Sequence, residues 1–249
     1  MSLNNHTKES GHFYTKDGEP AYTIVGKNGK ERPTTLRDAR KEGWVPGATV
    51  IIKCAAAPGL QAWIIEQHML ACLTTERADG ETEKDFIARI KRDANEQAKK
   101  AADRGTTIHA WVQGGFEGER LNIEGYKYYM AAKNTLENAL NADIKWICEK
   151  PFATDKYGGK VDLHNDKYLI DIKTTDKDIS TLKTWHEQHM QLAAYSNGLG
   201  GPERQCFVLY INTLTADALL LPIEQDEITT GLACFNALVE YWRAKNKVE

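Results

Sequence analysis

The sequence predicts an α/β protein in which helices flank a central mixed β-sheet. Five runs have the composition of strands, at 145–153, 159–164, 167–174, 205–211 and 216–221. Four long helices are expected around and between them, at 82–113, 124–140, 181–198 and 224–246. The helix at 181–198 separates the third strand from the fourth. Strands interrupted by one helix and enclosed by others indicate a sheet that is covered on both faces.

The part of the chain before this core is predicted to be an N-terminal β/α elaboration over 12–80. Its start has strand and turn signals, and 34–43 (TTLRDARKEG) predicts a short helix with a threonine N-cap that ends at Gly43. A β-rich run is expected after Pro46 and Gly47, and Pro58 is expected to open a helix. No repeat or low-complexity linker divides the chain. We therefore expect disorder over 1–11 and a single domain over 12–249, with its core at 81–249.

Composition indicates an ordinary globular protein. The chain has 249 residues, of which 41% are hydrophobic and 27% charged, and a net charge of −3. No apolar run approaches the roughly 20 residues that span a bilayer, and the polar start lacks a secretory signal, so a cytoplasmic location without membrane contact is expected. Five scattered cysteines without CxxC spacing predict neither disulfides nor a zinc site. The net charge gives no sign of nucleic-acid binding, yet it leaves room for a locally basic groove.

The residues that carry chemistry concentrate in 158–195. Alternation along a strand places Asp171 and Lys173 on one face and turns Ile172 toward the core. If the preceding strand forms a hairpin across HNDK, Asp162 reaches the same place. Two carboxylates, joined by the main-chain carbonyl of Ile172, suit a hard divalent cation such as Mg²⁺ or Mn²⁺. A D-x-K triplet alone is a weak signal, but its apolar neighbours indicate burial, which is costly for charges without a function.

An ordered set of motifs resembles the PD-(D/E)XK nuclease superfamily. The motifs are GGKVD, then IDIK, then QHMQLAAY. The Gln191-x-x-x-Tyr195 element and the upstream histidine of RGTTIHAW are similar to the RecB-like branch, which includes phage-type exonucleases. The segment beginning VPGAT resembles the one that precedes this core in phage-type members, although Gly47-Ala48-Thr49 departs from their usual Pro-Ser-Val-Thr-Thr. The resemblance covers roughly 45–200 and implies a restriction-endonuclease-like core.

The resemblance also implies a metal centre. His109 would be a metal ligand, Asp162 and Asp171 would be the carboxylate ligands, and Lys173 would be the catalytic lysine. Glu149, on the preceding strand, matches a glutamate often found there and would complete the metal shell; a surface glutamate on an edge strand explains it equally well.

Three further residues are expected to brace the site or to contact the substrate. Gln191 and Tyr195 share a helical face at i, i+4 spacing, and Thr174 follows the catalytic lysine. Aromatic contacts to DNA from Trp111 or Trp185 are a further conjecture.

The function implied is that of a metal-dependent DNA exonuclease, with one or two Mg²⁺ or Mn²⁺ ions, in phage or bacterial recombination, repair or replication. The expected partners are linear DNA ends, with a second copy of the chain or a recombination protein as further candidates. Two alternatives stay open: a structure-specific or restriction-like endonuclease on the same core, and a non-catalytic DNA-binding module. An iron–sulfur cluster is not expected, because Cys206 and Cys234 are the only late cysteines and lie far apart.

Overall fold

A computed structural model describes residues 12–56, 58–140, 144–200 and 203–248. Within these ranges the strands are β1 (Phe13–Tyr14), β2 (Thr23–Val25), β3 (Glu31–Pro33), β4 (Val45–Pro46), β5 (Ile147–Ala153), β6 (Gly158–His164), β7 (Tyr168–Thr175), β8 (Gln205–Asn212) and β9 (Ala218–Ile223). The helices are α1 (Leu36–Glu42), α2 (Ala48–Ile52), α3 (Pro58–Thr74), α4 (Glu83–Phe116), α5 (Ile123–Leu140), α6 (His186–Leu199) and α7 (Gln225–Asn246). The disorder predicted for 1–11 lies outside the described residues.

The centre of the molecule is a five-stranded sheet in the order β5-β6-β7-β8-β9. Neighbouring strands of this sheet are antiparallel, except for β7 and β8, which are parallel and connected through α6. One apolar cluster, which includes Leu192 of α6 and Phe235 of α7, covers one face; another, which includes Ile108 of α4 and Leu136 of α5, covers the opposite face. The predicted mixed sheet flanked by helices is confirmed.

The short helix α1 follows the sequence signals closely. Thr35 accepts a hydrogen bond from the Asp38 N–H, and Asp38 accepts one from the Thr35 N–H, which completes a capping box. Gly43 ends the helix at φ 69°, in the left-handed region that glycine adopts without steric cost. The predicted bounds of this helix and its threonine cap are confirmed.

The β-rich run expected after Pro46 and Gly47 is wrong. Residues 48–52 form the helix α2, and Ala48, Ile51 and Ile52 are its buried residues. Their i, i+3, i+4 spacing places them on one helical face, so packing against the core outweighs the β-propensity of the valine and isoleucines.

The helices α3 and α4 pack against each other beside the sheet. The helix α3 begins at Pro58 as predicted, and two of its apolar side chains, Met69 and Leu73, are 59% and 81% exposed. The helix α4 continues through Gly105 without a break. Helix α6 begins at His186, later than predicted; a short 3₁₀ turn occupies Ile179–Thr181, and the N-cap residue Trp185 is extended. No helix in the described ranges combines the length and the apolar character that a membrane crossing requires.

Candidate active site

The two predicted catalytic carboxylates lie where β6 and β7 separate. These strands pair antiparallel at Leu163↔Ile170 and His164↔Leu169, and the next position in that register would place Asp162 opposite Asp171. The Ile172 N–H donates a hydrogen bond to Asp162 Oδ2 at 2.7 Å. The hairpin expected across HNDK therefore brings both aspartates to one place.

Alternation along β7 places Asp171 and Lys173 together. Lys173 Nζ lies 2.9 Å from Asp171 Oδ1 and 2.6 Å from Oδ2. Between them, the Ile172 side chain is 4% exposed and belongs to the apolar cluster under α4 and α5. The main-chain carbonyl of Ile172 as a metal ligand stays a prediction.

Helix α4 carries His109 to the same place. His109 Nε2 is 3.1 Å from Asp162 Oδ2, and Nδ1 is 3.8 Å from Glu149 Oε1. One turn earlier on the same face, Gly105 lies against Thr174, where an added Cβ would come within 2.6 Å of Oγ1. The absence of a side chain at Gly105 thus lets the helix approach β7 closely enough for the imidazole to reach Asp162.

Glu149 on β5 completes the group from the other side. The flanking pairs Cys148↔Leu163 and Lys150↔Val161 place it opposite Asp162 in register. Its φ is 49°, a left-handed conformation that is uncommon for residues other than glycine and that clusters at functional sites. Its side chain is only 12% exposed. Glu149 is therefore turned into the site rather than toward solvent.

The ligand atoms of His109, Glu149 and Asp162 lie within 4.8 Å of one another, so these residues could hold a metal ion. Within the described ranges, Oε2 of Glu149 and Oδ2 of Asp171 are buried and accept no hydrogen bond of normal geometry. The first forms an ion pair with Lys160 and the second with Lys173. One imidazole and several carboxylate oxygens form a donor set that suits Mg²⁺ or Mn²⁺. Asp171 lies outside this three-residue group, and its carboxylate contacts Lys173 and Gln191.

Side chains of helix α6 hold the carboxylate of Asp171 in place through hydrogen bonds. Gln191 Nε2 donates to Asp171 Oδ1 at 2.8 Å and lies 3.2 Å from the Tyr195 hydroxyl, while Lys173 Nζ is 3.4 Å from Gln191 Oε1. The Tyr195 ring packs on Gly159 of the GGKVD motif, where an added Cβ would lie 2.7 Å from ring carbon Cε1. The structure thus places Gln191 and Tyr195 in contact with the site.

Burial and the neighbouring charges act on each ionisable group. Burial raises the pKa of Asp171, and the charge of Lys173 only partly opposes it. For Asp162, the hydrogen bond and charge of His109 outweigh burial and lower the pKa. Burial lowers the pKa of His109, but Asp162 more than compensates, so the net shift is upward. The pKa of Lys173 is likewise raised, because the two aspartates outweigh its burial. The net shifts therefore favour the charged forms of Asp162, His109 and Lys173, and the protonated form of Asp171.

The site opens into a cleft of about 670 Å³ whose lining includes two residues that the sequence did not single out. Lys160 pairs with Glu149, and Trp63 reaches the cleft from α3. Alternation could have identified Lys160, which lies two residues before Asp162; nothing in the sequence marks Trp63. Of the two tryptophans conjectured to contact DNA, Trp111 stacks on Tyr128 and Trp185 precedes α6.

Comparison of the sequence with models of known protein families finds no match, and a search of curated proteins finds none. The fold and the site define an α/β protein with a cleft lined by a glutamate, a histidine and two lysines, with two aspartates in contact with the histidine and one of the lysines. Membership of the PD-(D/E)XK superfamily stays a prediction from the sequence motifs.

Proposed function

We propose that this protein is a metal-dependent deoxyribonuclease of the PD-(D/E)XK type, similar to RecB-like and phage-type exonucleases, built on a restriction-endonuclease-like core. One observation carries the proposal: four elements bring His109, Glu149 and Lys173 to the lining of one cleft, with Asp162 in contact with His109 and Asp171 in contact with Lys173. These residues are far apart in sequence and belong to the types that phosphodiester hydrolysis requires.

In the proposed reaction His109, Glu149 and Asp162 hold a divalent cation, with Asp171 at the edge of the group. When bound, Mg²⁺ or Mn²⁺ lowers the pKa of a water molecule and neutralises charge on the phosphate. Lys173 stays protonated beside Asp171, and its Nζ donates a hydrogen bond to a phosphate oxygen or orients the attacking water. Gln191 and Tyr195 keep Asp171, and through it Lys173, at the wall of the cleft.

The preference for DNA ends, the role in phage or bacterial recombination, repair or replication, and the cytoplasmic location are part of this proposal and rest on the family resemblance. Under the same proposal a second copy of the chain or a recombination protein would be the additional partner. Action within closed DNA is the alternative for the same site.

Digestion of end-labelled linear DNA tests the proposal. We expect degradation with Mg²⁺ or Mn²⁺, none with EDTA, and a loss of at least about a hundredfold in Asp171→Asn and Lys173→Met. Asp166→Asn, in the exposed turn before β7, is the matched control and should retain activity. Linear DNA left intact with both metals, or a fully active Asp171→Asn variant, would refute the proposal.

Closed circular DNA separates the alternatives. An exonuclease leaves it intact, and cleavage would establish the endonuclease instead. DNA binding without any hydrolysis under all metal conditions would identify a non-catalytic binding module.

A further inference from the structure

The cleft has two unlike walls. Glu149, Lys160 and Lys173 form a charged wall on the sheet side. The other wall is contributed by α3 and the middle of α4, with Trp63, Ala98, Ala101 and Ala102 facing the space. A flat aromatic ring beside small apolar residues, opposite ammonium groups, is suited to a ligand that has a planar apolar side and an anionic side.

Trp63 is the large side chain of the apolar wall. It is half-buried, and it lies on a face of α3 that is otherwise exposed, so its ring borders the cleft rather than the core. Aromatic side chains in such positions stack on nucleobases without sequence preference, at about 1–3 kcal/mol per base.

Lys160 supplies a second cation on the charged wall. It lies on β6 two residues before Asp162, and its ammonium pairs with Glu149 while 37% of the side chain stays exposed. Lys160 and Lys173 thus come from neighbouring strands, one on each side of the carboxylates. The two ammonium groups can each bind one phosphate of a continuous nucleic-acid backbone.

The size of the cleft limits the ligand. Its volume of about 670 Å³ falls among pockets of roughly 300–1,000 Å³ that enclose a single small ligand, which corresponds to about one or two nucleotides. A duplex of the same length exceeds this volume. A single strand can enter it.

We infer that the cleft binds one strand of nucleic acid, with a base stacked on Trp63 and an adjacent phosphate on Lys160. This inference rests on the proposed function, which supplies nucleic acid as the ligand class. It adds the strandedness of the bound segment and two residues that determine binding.

Fluorescence anisotropy with a short labelled oligothymidylate tests the inference, with EDTA present so that binding is read without hydrolysis. We expect the single strand to bind more tightly than a duplex of equal length. Trp63→Ala should weaken binding about tenfold, and Trp63→Phe should restore it to within about threefold of wild type. Lys160→Ala should lower the slope of log Kd against log salt by about 0.7, the value for one phosphate contact on a single strand.

Two exposed residues outside the cleft provide matched controls. Lys150→Ala removes an exposed lysine from β5, and Tyr241→Ala removes an aromatic ring that is 54% exposed on α7. Both should bind the oligonucleotide as wild type does. Circular dichroism checks that each variant is folded, and the salt slope of Lys160→Ala keeps the inference falsifiable if Trp63→Ala fails to fold.

The inference is overturned if folded Trp63→Ala and Lys160→Ala variants bind the single strand like wild type, or if the duplex binds as tightly as the single strand. These outcomes are distinct from failure of the proposed function. A protein that binds the strand through Trp63 and Lys160 but never hydrolyses DNA refutes the nuclease, whereas active digestion with unchanged binding in both variants refutes the strand site.

Discussion

Replacing Lys173 by methionine should leave the buried Asp171 carboxylate without its counter-charge and should lower the free energy of unfolding. Asp171 is 1% exposed, and Lys173 Nζ touches both of its carboxylate oxygens at 2.9 and 2.6 Å. Removing one partner of a buried ion pair typically costs about 3–5 kcal/mol. Gln191 still donates to Oδ1, so we expect the lower end of this range, about 3 kcal/mol, which is a large fraction of the roughly 5–15 kcal/mol of a folded domain.

The pH dependence of this loss follows from the pKa of Asp171. Burial raises that pKa above its unfolded value, so the folded state binds the proton more tightly than the unfolded state does. The free energy of unfolding then falls as pH rises from the unfolded pKa through the folded one. Without the Lys173 charge the folded pKa rises further. The destabilisation of Lys173→Met should therefore be largest at neutral pH and smaller at about pH 5.

Urea unfolding in EDTA at both pH values measures the effect without metal binding. Adding Asp171→Asn to Lys173→Met removes the stranded charge and should recover most of the lost stability. Lys150→Met, at an exposed position on the neighbouring β5, should change stability by less than about 0.5 kcal/mol. A Lys173→Met variant that loses less than about 1 kcal/mol, or loses the same amount at both pH values, would show that water compensates Asp171 and would refute the reasoning.

Three further outcomes are expected. Mn²⁺ at about a hundred times its Kd should raise the thermal unfolding midpoint of the wild type by about 5–10 °C and that of Asp162→Asn by almost nothing; equal shifts would place the ion elsewhere. Gly159→Ala should cost about 1–3 kcal/mol in urea unfolding, because the added Cβ meets the Tyr195 ring, and wild-type stability would contradict this packing. Ellman's reagent at about pH 8 should modify exposed Cys72 in the native protein and Cys206 only after unfolding, because burial raises the pKa of the Cys206 thiol to about 12; equal rates would contradict its burial.

The sequence predicts the elements of the sheet well because strand and turn signals there are local. Alternation around Asp171 and Lys173 needs only the strand period, and the HNDK turn makes the β6–β7 hairpin the simplest connection. The cap at Thr35 and the stop at Gly43 are equally local. In each case the physical cause lies within a few residues of its effect.

The features that the sequence does not reveal depend on packing between distant segments. Residues 48–52 have β-branched character, and only the core beneath them makes a helix favourable. Trp63 reaches the cleft because α3 packs on α4, and no local pattern specifies that contact. Lys160 shows the intermediate case: its face follows from alternation, but its pairing with Glu149 requires the register of β5 against β6.

The candidate site lies where the regular pairing between neighbouring strands of the sheet is interrupted. Like charges opposite each other on neighbouring strands are unfavourable, and the β6–β7 pairing ends at the position where Asp162 would face Asp171. On the other side, Glu149 takes a left-handed conformation opposite Asp162 and interrupts the β5–β6 pairing, which resumes at Lys150↔Val161. Both departures cost stability, and both turn carboxylates toward the same histidine. A sheet built for stability alone would place apolar or oppositely charged residues at these positions, so this departure supports the cation site that we propose here.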